Sequence, residues 1–255
     1  ALLNGELDNI RHTGDRSLTF RLYAGGKYGI FSTNRLDDNN IRAFMKQAVE
    51  HVGLQAVDPF RKLPSETTRE AAKGDEMGLC WYAYDTITGK DRIAAAEDVS
   101  VFGKEGCEGN GWKLISEEVE YNNTLADTLF LDSSGTRCRQ VETSFEVSSQ
   151  ATVQDNAGDR YSGMYWDYGI SPDLIIGSEC GRKAVAEAVS QIGPERIRGG
   201  RYTMVVDRKV CGKLISPIIR ALSGLRIQQR SSFLTESLGK KIFRDGMSLV
   251  DRPRV

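Results

Sequence analysis

Few side chains in this 255-residue chain have both the type and the spacing that chemistry requires. The only histidines are His12 and His51, and neither has neighbours at metal-ligand spacing. His51 falls on an amphipathic segment and reads as a surface or boundary residue. No G-x-S-x-G elbow occurs, and no cysteine has a histidine close to it in sequence. The 35 Asp and Glu residues offer too many carboxylate pairs to single one out for hydrolysis. Gly103, Gly106, Gly109 and Gly111 match neither phosphate-cradling spacing and read as a surface loop. Trp81, Tyr82 and Tyr84 could stack on a ligand, but an edge strand packed on the core is the plainer reading. Cys80, Cys107, Cys138, Cys180 and Cys211 form an odd set without C-x-x-C spacing, which favours reduced, mostly buried thiols. No catalytic residue can be nominated on these grounds.

The stretch with the most defined positioning lies near the end of the chain. Tyr202 to Val206 is a short apolar, β-branched run that suits a buried strand, and Asp207 follows where a helix N-cap belongs. Val210, Leu214, Ile215, Ile218, Ile219 and Leu222 then recur at helical spacing, giving one apolar face and a stop at Gly224. Pro217 stands inside this helix and removes a backbone donor.

Upstream, Leu18, Phe20 and Leu22 alternate with polar residues, Gly25-Gly26 supplies a turn, and Tyr28 to Phe31 returns as a second strand. Ile41, Phe44, Met45, Ala48, Val49 and Val52 fall on one helical face that Gly53 ends. From Leu54 to Gly89, with Pro59, Pro64 and the polar segment 65–75, the periodicity fades into irregular cover. Ile93, Ala96 and Val99 suggest a helix over 91–102. Asn122-Asn123-Thr124 fits the glycosylation pattern by chance. Thr128 to Leu131, the turn 132–135 and a long alternating strand from Val141 to Val153 begin an antiparallel meander that Tyr161 to Tyr168 continues. Ser171-Pro172 caps a helix whose stripe is Cys180, Ala184, Val185, Ala188, Val189 and Ile192.

Three of these features in order carry a family resemblance: the step into the helix after Asp207, the block Ser231-Ser232-Phe233-Leu234 with Ser237 to Ile242, and Leu249-Val250-Asp251-Arg252-Pro253. The chain resembles the TldD/PmbA family, long labelled modulators of DNA gyrase and regarded as metalloproteases. The resemblance implies that catalytic members carry His-Glu-x-x-x-His on this helix, with histidines on zinc and the glutamate activating water. In register through Gly224, this chain has Ile215, Ser216 and Arg220 at those positions. It therefore looks like the PmbA, or TldE, side of the family. No cofactor is expected in this chain, and zinc is expected in a TldD-like partner.

The resulting expectation is an α+β protein. Residues 1–75 form a hairpin-and-helix domain clipped at its start, 76–195 a central antiparallel β region with helices, and 196–255 the start of a truncated β-rich domain. The implied function is a noncatalytic subunit of a TldD-type zinc metalloprotease complex acting on unfolded peptides, in proteolysis or peptide maturation. The alternatives are a metallopeptidase in its own right or a DNA gyrase-associated binding protein. Partners would be a TldD-like subunit in a heterodimer, or a second copy in a homodimer. Arg220, Ser231 and Ser232 are the peptide-binding candidates.

Bulk numbers agree with a globular chain, at 40% apolar residues and a net charge of −1. From Arg196 to Val255 there are 14 Lys and Arg against four Asp and Glu, a balance of +10, which leaves −11 for the first 195 residues. No nucleic-acid motif accompanies that basic segment, so an acidic surface within the fold or on a partner is the favoured counterpart. No run is apolar enough for a membrane helix and the opening residues lack signal-peptide zones, which points to the cytoplasm.

Overall fold

A computed structural model describes residues 1–63, 71–72, 77–104 and 108–250, and divides the chain into two compact units, Ala1–Pro194 and Glu195–Val255. Gly106, Cys107, most of the polar segment 65–75 and the Asp251-Arg252-Pro253 end of the last motif lie outside the described residues.

Within the first unit, the short strands β1 (Leu2–Leu3) and β2 (Glu6–Leu7) precede a separate two-stranded sheet of β3 (Leu18–Ala24) and β4 (Lys27–Thr33). Ala24 pairs with Lys27, so Gly25 and Gly26 are the whole loop, and their φ of 57° and 72° give the turn that matches strand twist. Helix α1 (Asp38–Gly53) starts where the Asp37 carboxylate accepts the Asn40 N–H at 3.0 Å, and buries Ala48 and Val52. Phe44, on the same helix, meets Phe20 and Phe31 of the hairpin at ring distances of 6.0 and 6.5 Å. His51 is exposed at its far end, as its surroundings suggested.

The larger sheet is built on β7 (Trp112–Leu131) and β8 (Arg137–Asp155), joined by an Asp132 turn and flanked by β9 (Arg160–Gly169). Short pieces complete it: β5 (Ala71–Ala72) lies parallel to β8, and β6 (Glu108–Gly109) returns on β7 through Gly111. In the turn, Asp132 Oδ1 accepts from the Ser134 hydroxyl and from the N–H groups of Ser134 and Thr136. These bonds, the Ser134 hydroxyl foremost, hold the Asp132 carboxyl at a pKa of about 2.

Alternation along β8 sends Phe145, Val147, Ser149, Ala151 and Val153 to one face, where α2 (Gly89–Val99) and α3 (Cys180–Ser190) cover them. Leu2, Ala96, Val99, Val119 and Cys180 pack with Phe145 and Val147; Leu114, Ala184, Val185 and Ala188 pack with Ala151 and Val153. The architecture is α+β, as expected, with an antiparallel sheet at its centre.

Several local expectations are corrected. Trp81 and Tyr84 do pack on Phe145, at 5.7 and 5.9 Å between rings, but from a loop and a single 3-10 turn instead of an edge strand. Ser171-Pro172 opens only a 3-10 turn over Pro172–Leu174, and the helix begins at Cys180. Of the four cysteines described, only Cys180 is fully buried.

A buried carboxylate ties these layers together. Glu117, 1% exposed, lies on the helix-covered face of β7. Its Oε2 accepts from the Ser100 hydroxyl at 2.7 Å and from the Val101 and Phe102 N–H groups at 2.9 Å each. Its Oε1 accepts from the Ser149 hydroxyl on β8 at 3.0 Å. The backbone N–H groups of Val101 and Phe102, just beyond the end of α2, are thereby met by a strand side chain. Gly181 of α3 passes so close that a Cβ there would run into the Val99 carbonyl oxygen and Glu117 Oε1. Replacing Glu117 by Ala removes the acceptor that four donors share, so Glu117→Ala is expected to destabilise the first unit by about 3 kcal/mol or more in urea unfolding. A loss under about 1 kcal/mol would mean that the donors find other partners.

Candidate functional site

The second unit carries Ile215, Ser216 and Arg220, the positions that the family resemblance aligns with a zinc motif. Its long helix α4 (Arg208–Ala221) begins as expected, with the Asp207 carboxylate accepting the Lys209 N–H at 2.7 Å. It ends differently. Leu222 is the C-cap in right-handed geometry, and Gly224 opens a second short helix, α5 (Gly224–Gln228), instead of supplying a left-handed stop.

The run Tyr202 to Val206 is not a strand. It has no ladder partner among the described residues of this unit, and Tyr202, Met204 and Val205 are exposed. The apolar face of α4 is likewise not a closed core: Val210, Leu214, Ile219 and Leu222 are exposed, and Ala221 is the one buried residue of the helix.

Ile215 and Ser216 are half-buried on α4, and Arg220 is exposed one turn on. The Ser216 hydroxyl donates to the Gly212 carbonyl at 2.7 Å, a bond to the preceding turn that a helical serine commonly makes. Arg220 Nε reaches back toward the Ser216 carbonyl at 3.5 Å, near the C-terminal end of the helix where a cation is favourable. This donor set does not fit zinc. Ile215 has no lone pair to give, Ser216 carries neither a carboxylate nor an open hydroxyl, and a guanidinium repels a cation. Among the described residues there is no group of three or more His, Cys, Asp or Glu that could hold a metal ion.

Ser231 and Ser232 follow α5. The Ser232 hydroxyl donates to the Ala221 carbonyl at 2.6 Å and accepts the Leu234 N–H at 3.0 Å. The Ser231 N–H and hydroxyl both reach the Arg226 carbonyl, at 2.9 and 3.3 Å. Both serines therefore satisfy helix-end carbonyls, a role that sequence spacing alone could not reveal.

In the first unit the groups most like a reactive site are structural. Glu117 has its acceptors filled by Ser100, Val101, Phe102 and Ser149. Cys180 is fully buried, with Sγ 2.8 Å from the Ser178 hydroxyl, which itself donates to Asp167. No helix among the described residues is long and apolar enough to cross a membrane.

Comparison with known proteins matches three models of one metallopeptidase family along this chain. They are PmbA/TldA metallopeptidase domain 1 over residues 1–52, the central domain over 85–192 and the C-terminal domain over 199–255. The chain belongs to the PmbA/TldD family. Relatives include a metalloprotease PmbA homolog of Buchnera aphidicola, 21% identical over 99% of this chain and 55% of the relative. Another, from Haemophilus influenzae, is 22% identical over 98% of this chain and 54% of its own length. This chain thus spans about half the length of the curated relatives it matches. A crystal structure from Bacteroides thetaiotaomicron, described as that of a candidate modulator of DNA gyrase, superposes with a TM-score of 0.82 at 26% identity, covering 94% of this chain and 54% of that one. A second from Thermotoga maritima, with a TM-score of 0.71 at 17% identity over 91% of this chain and 51% of that one, shares the fold.

Pro217 stands well inside α4, where its missing N–H breaks the hydrogen-bond ladder. Pro217→Ala should therefore slow amide exchange through α4 and stabilise the helix by about 1–3 kcal/mol. Exchange rates that do not change would show that neighbouring residues already compensate the missing bond.

Proposed function

We propose that this protein is a noncatalytic, TldE/PmbA-like subunit of a zinc metalloprotease complex, which supports a zinc-bearing TldD-like partner in cleaving unfolded peptides. One observation carries the reading: the family's zinc positions hold Ile215, Ser216 and Arg220, a set with no metal ligand and no general base. Membership of a metallopeptidase family does not restore chemistry whose side chains are missing. What the chain retains is a scaffold that can pair and present surface. A pseudo-symmetric dimer is the usual use of such a scaffold, with a homodimer as the fallback.

In this reading Arg220, exposed at the end of α4, is the side chain available to meet a peptide carboxylate. The hydroxyls of Ser231 and Ser232 would reach a peptide only by giving up their bonds to Arg226 and Ala221. The basic balance of residues 196–255 suits an acidic partner surface. Peptide uptake by edge pairing along Val141 to Gln154 is set aside, because β8 is flanked by β7 along that whole length and by β9 from Phe145 onward.

The test mixes the purified protein with a zinc-bearing family member and follows cleavage of an unstructured peptide. The expected result is a complex that cleaves faster than the partner alone, with no cleavage by this protein alone. Cleavage by this protein alone would assign it the peptidase activity. A mixture with neither complex nor enhanced cleavage would overturn the subunit reading.

A further inference from the structure

The face of the large sheet turned away from α2 and α3 carries a hollow with a volume of about 290 Å³. Its floor is two cross-strand pairs, Thr124 of β7 opposite Ser144 of β8 and Ala126 opposite Glu142. Its walls are Leu79, from the loop before the 3-10 turn, and Ile170, just past the end of β9. Thr143, 3% exposed, fixes both walls. Its N–H donates to the Leu79 carbonyl at 3.0 Å and its hydroxyl to the Ile170 carbonyl at 2.7 Å. The same hydroxyl accepts the Trp81 N–H at 2.8 Å, and the Trp81 ring is anchored on Phe145. The walls are therefore held in place before any ligand arrives.

The chemistry of the lining selects among ligands. Gln140 Nε2 donates to Glu142 Oε2 at 3.0 Å, which steadies the carboxylate and leaves Oε1 as an acceptor beside the Thr124 and Ser144 hydroxyls. No Lys or Arg occurs from Glu118 to Phe130 of β7 or from Gln140 to Gln150 of β8, so no strand cation neutralises Glu142. An anion is repelled here. A hydrated metal ion finds a single carboxylate and nothing to gain from Leu79, Ala126 and Ile170. An ammonium group on an aliphatic body matches both halves of the lining, because its three N–H donors meet acceptors only and its body covers the apolar walls.

We propose that this hollow binds a small organic cation with a primary ammonium group and a compact aliphatic body. The ammonium sits on Glu142 Oε1 and the hydroxyls of Thr124 and Ser144, and the body lies between Leu79 and Ile170. Glu142 is exposed and its pull is screened by water, which sets the expected affinity in the millimolar range. The inference stands on the lining of the hollow and does not depend on the subunit reading above.

Isopentylammonium is the probe, with isopentanol and isovalerate as its neutral and anionic counterparts. Titrated into the intact, isotope-labelled protein at neutral pH, it should shift the amide signals of residues 124, 126, 142, 144 and 170 saturably. The alcohol and the carboxylate should bind there about tenfold more weakly or not at all. Glu142→Gln, which keeps the shape of the side chain, should weaken the probe by about tenfold or more. Glu118→Gln, which removes an equal charge further along the same face, should change its affinity by less than about twofold. The amide spectra themselves report that both variants are folded. Wild-type signals at those residues that do not shift saturably overturn the inference. So does isopentanol binding as tightly as the amine, since the hollow would then be merely apolar. Equal losses in Glu142→Gln and Glu118→Gln, or none in either, overturn it as well, because the amine would then be answering to the acidic surface at large or to no carboxylate.

Discussion

The buried carboxylate of Glu117 is the interaction on which the first unit depends. Taking a carboxylate out of water is costly unless its lone pairs are met, and here a strand side chain meets donors from just past α2 and from the neighbouring strand. Its backbone also fastens the N-terminal strand through Asn4. Glu117 thus sets how far the end of α2 can lie from the sheet. The glycine at 181 is the matching concession, because α3 can approach that junction only without a side chain.

That device also explains what was legible in the sequence and what was not. β8 declares itself, because Val141 to Val153 alternate and the inward positions are buried. β7, its partner of similar length, shows a strand pattern in the sequence only from Thr128 to Leu131. A glutamate and an asparagine occupy its helix-facing positions at 117 and 123, and a bulge between Leu114 and Ser116 resets the alternation, so the period-2 signal is lost. Helix α1 was plain from the spacing of Phe44, Ala48 and Val52, and its Asp37 cap follows the same local logic as the Asp207 cap of α4.

Failures in the second unit share a cause. The run Tyr202 to Val206 has strand-like composition, and α4 has an apolar stripe, yet composition states only what a segment would bury given a neighbour. Among the described residues the run has no ladder, and most of the stripe stays exposed. The candidate site was legible in a different sense. Residue types at 215, 216 and 220 are read from the sequence without any contact being known, whereas the helix-capping work of Ser231 and Ser232 exists only once α4 and α5 are in place.

The family fold is kept, and the three positions that the TldD/PmbA resemblance aligns with its zinc motif hold an alkyl chain, a bonded hydroxyl and a cation. Elemental analysis of protein purified without chelators tests this most directly. The account predicts no stoichiometric zinc that depends on α4. One zinc per chain, lost on substitution of residues within Arg208–Ala221, would contradict it.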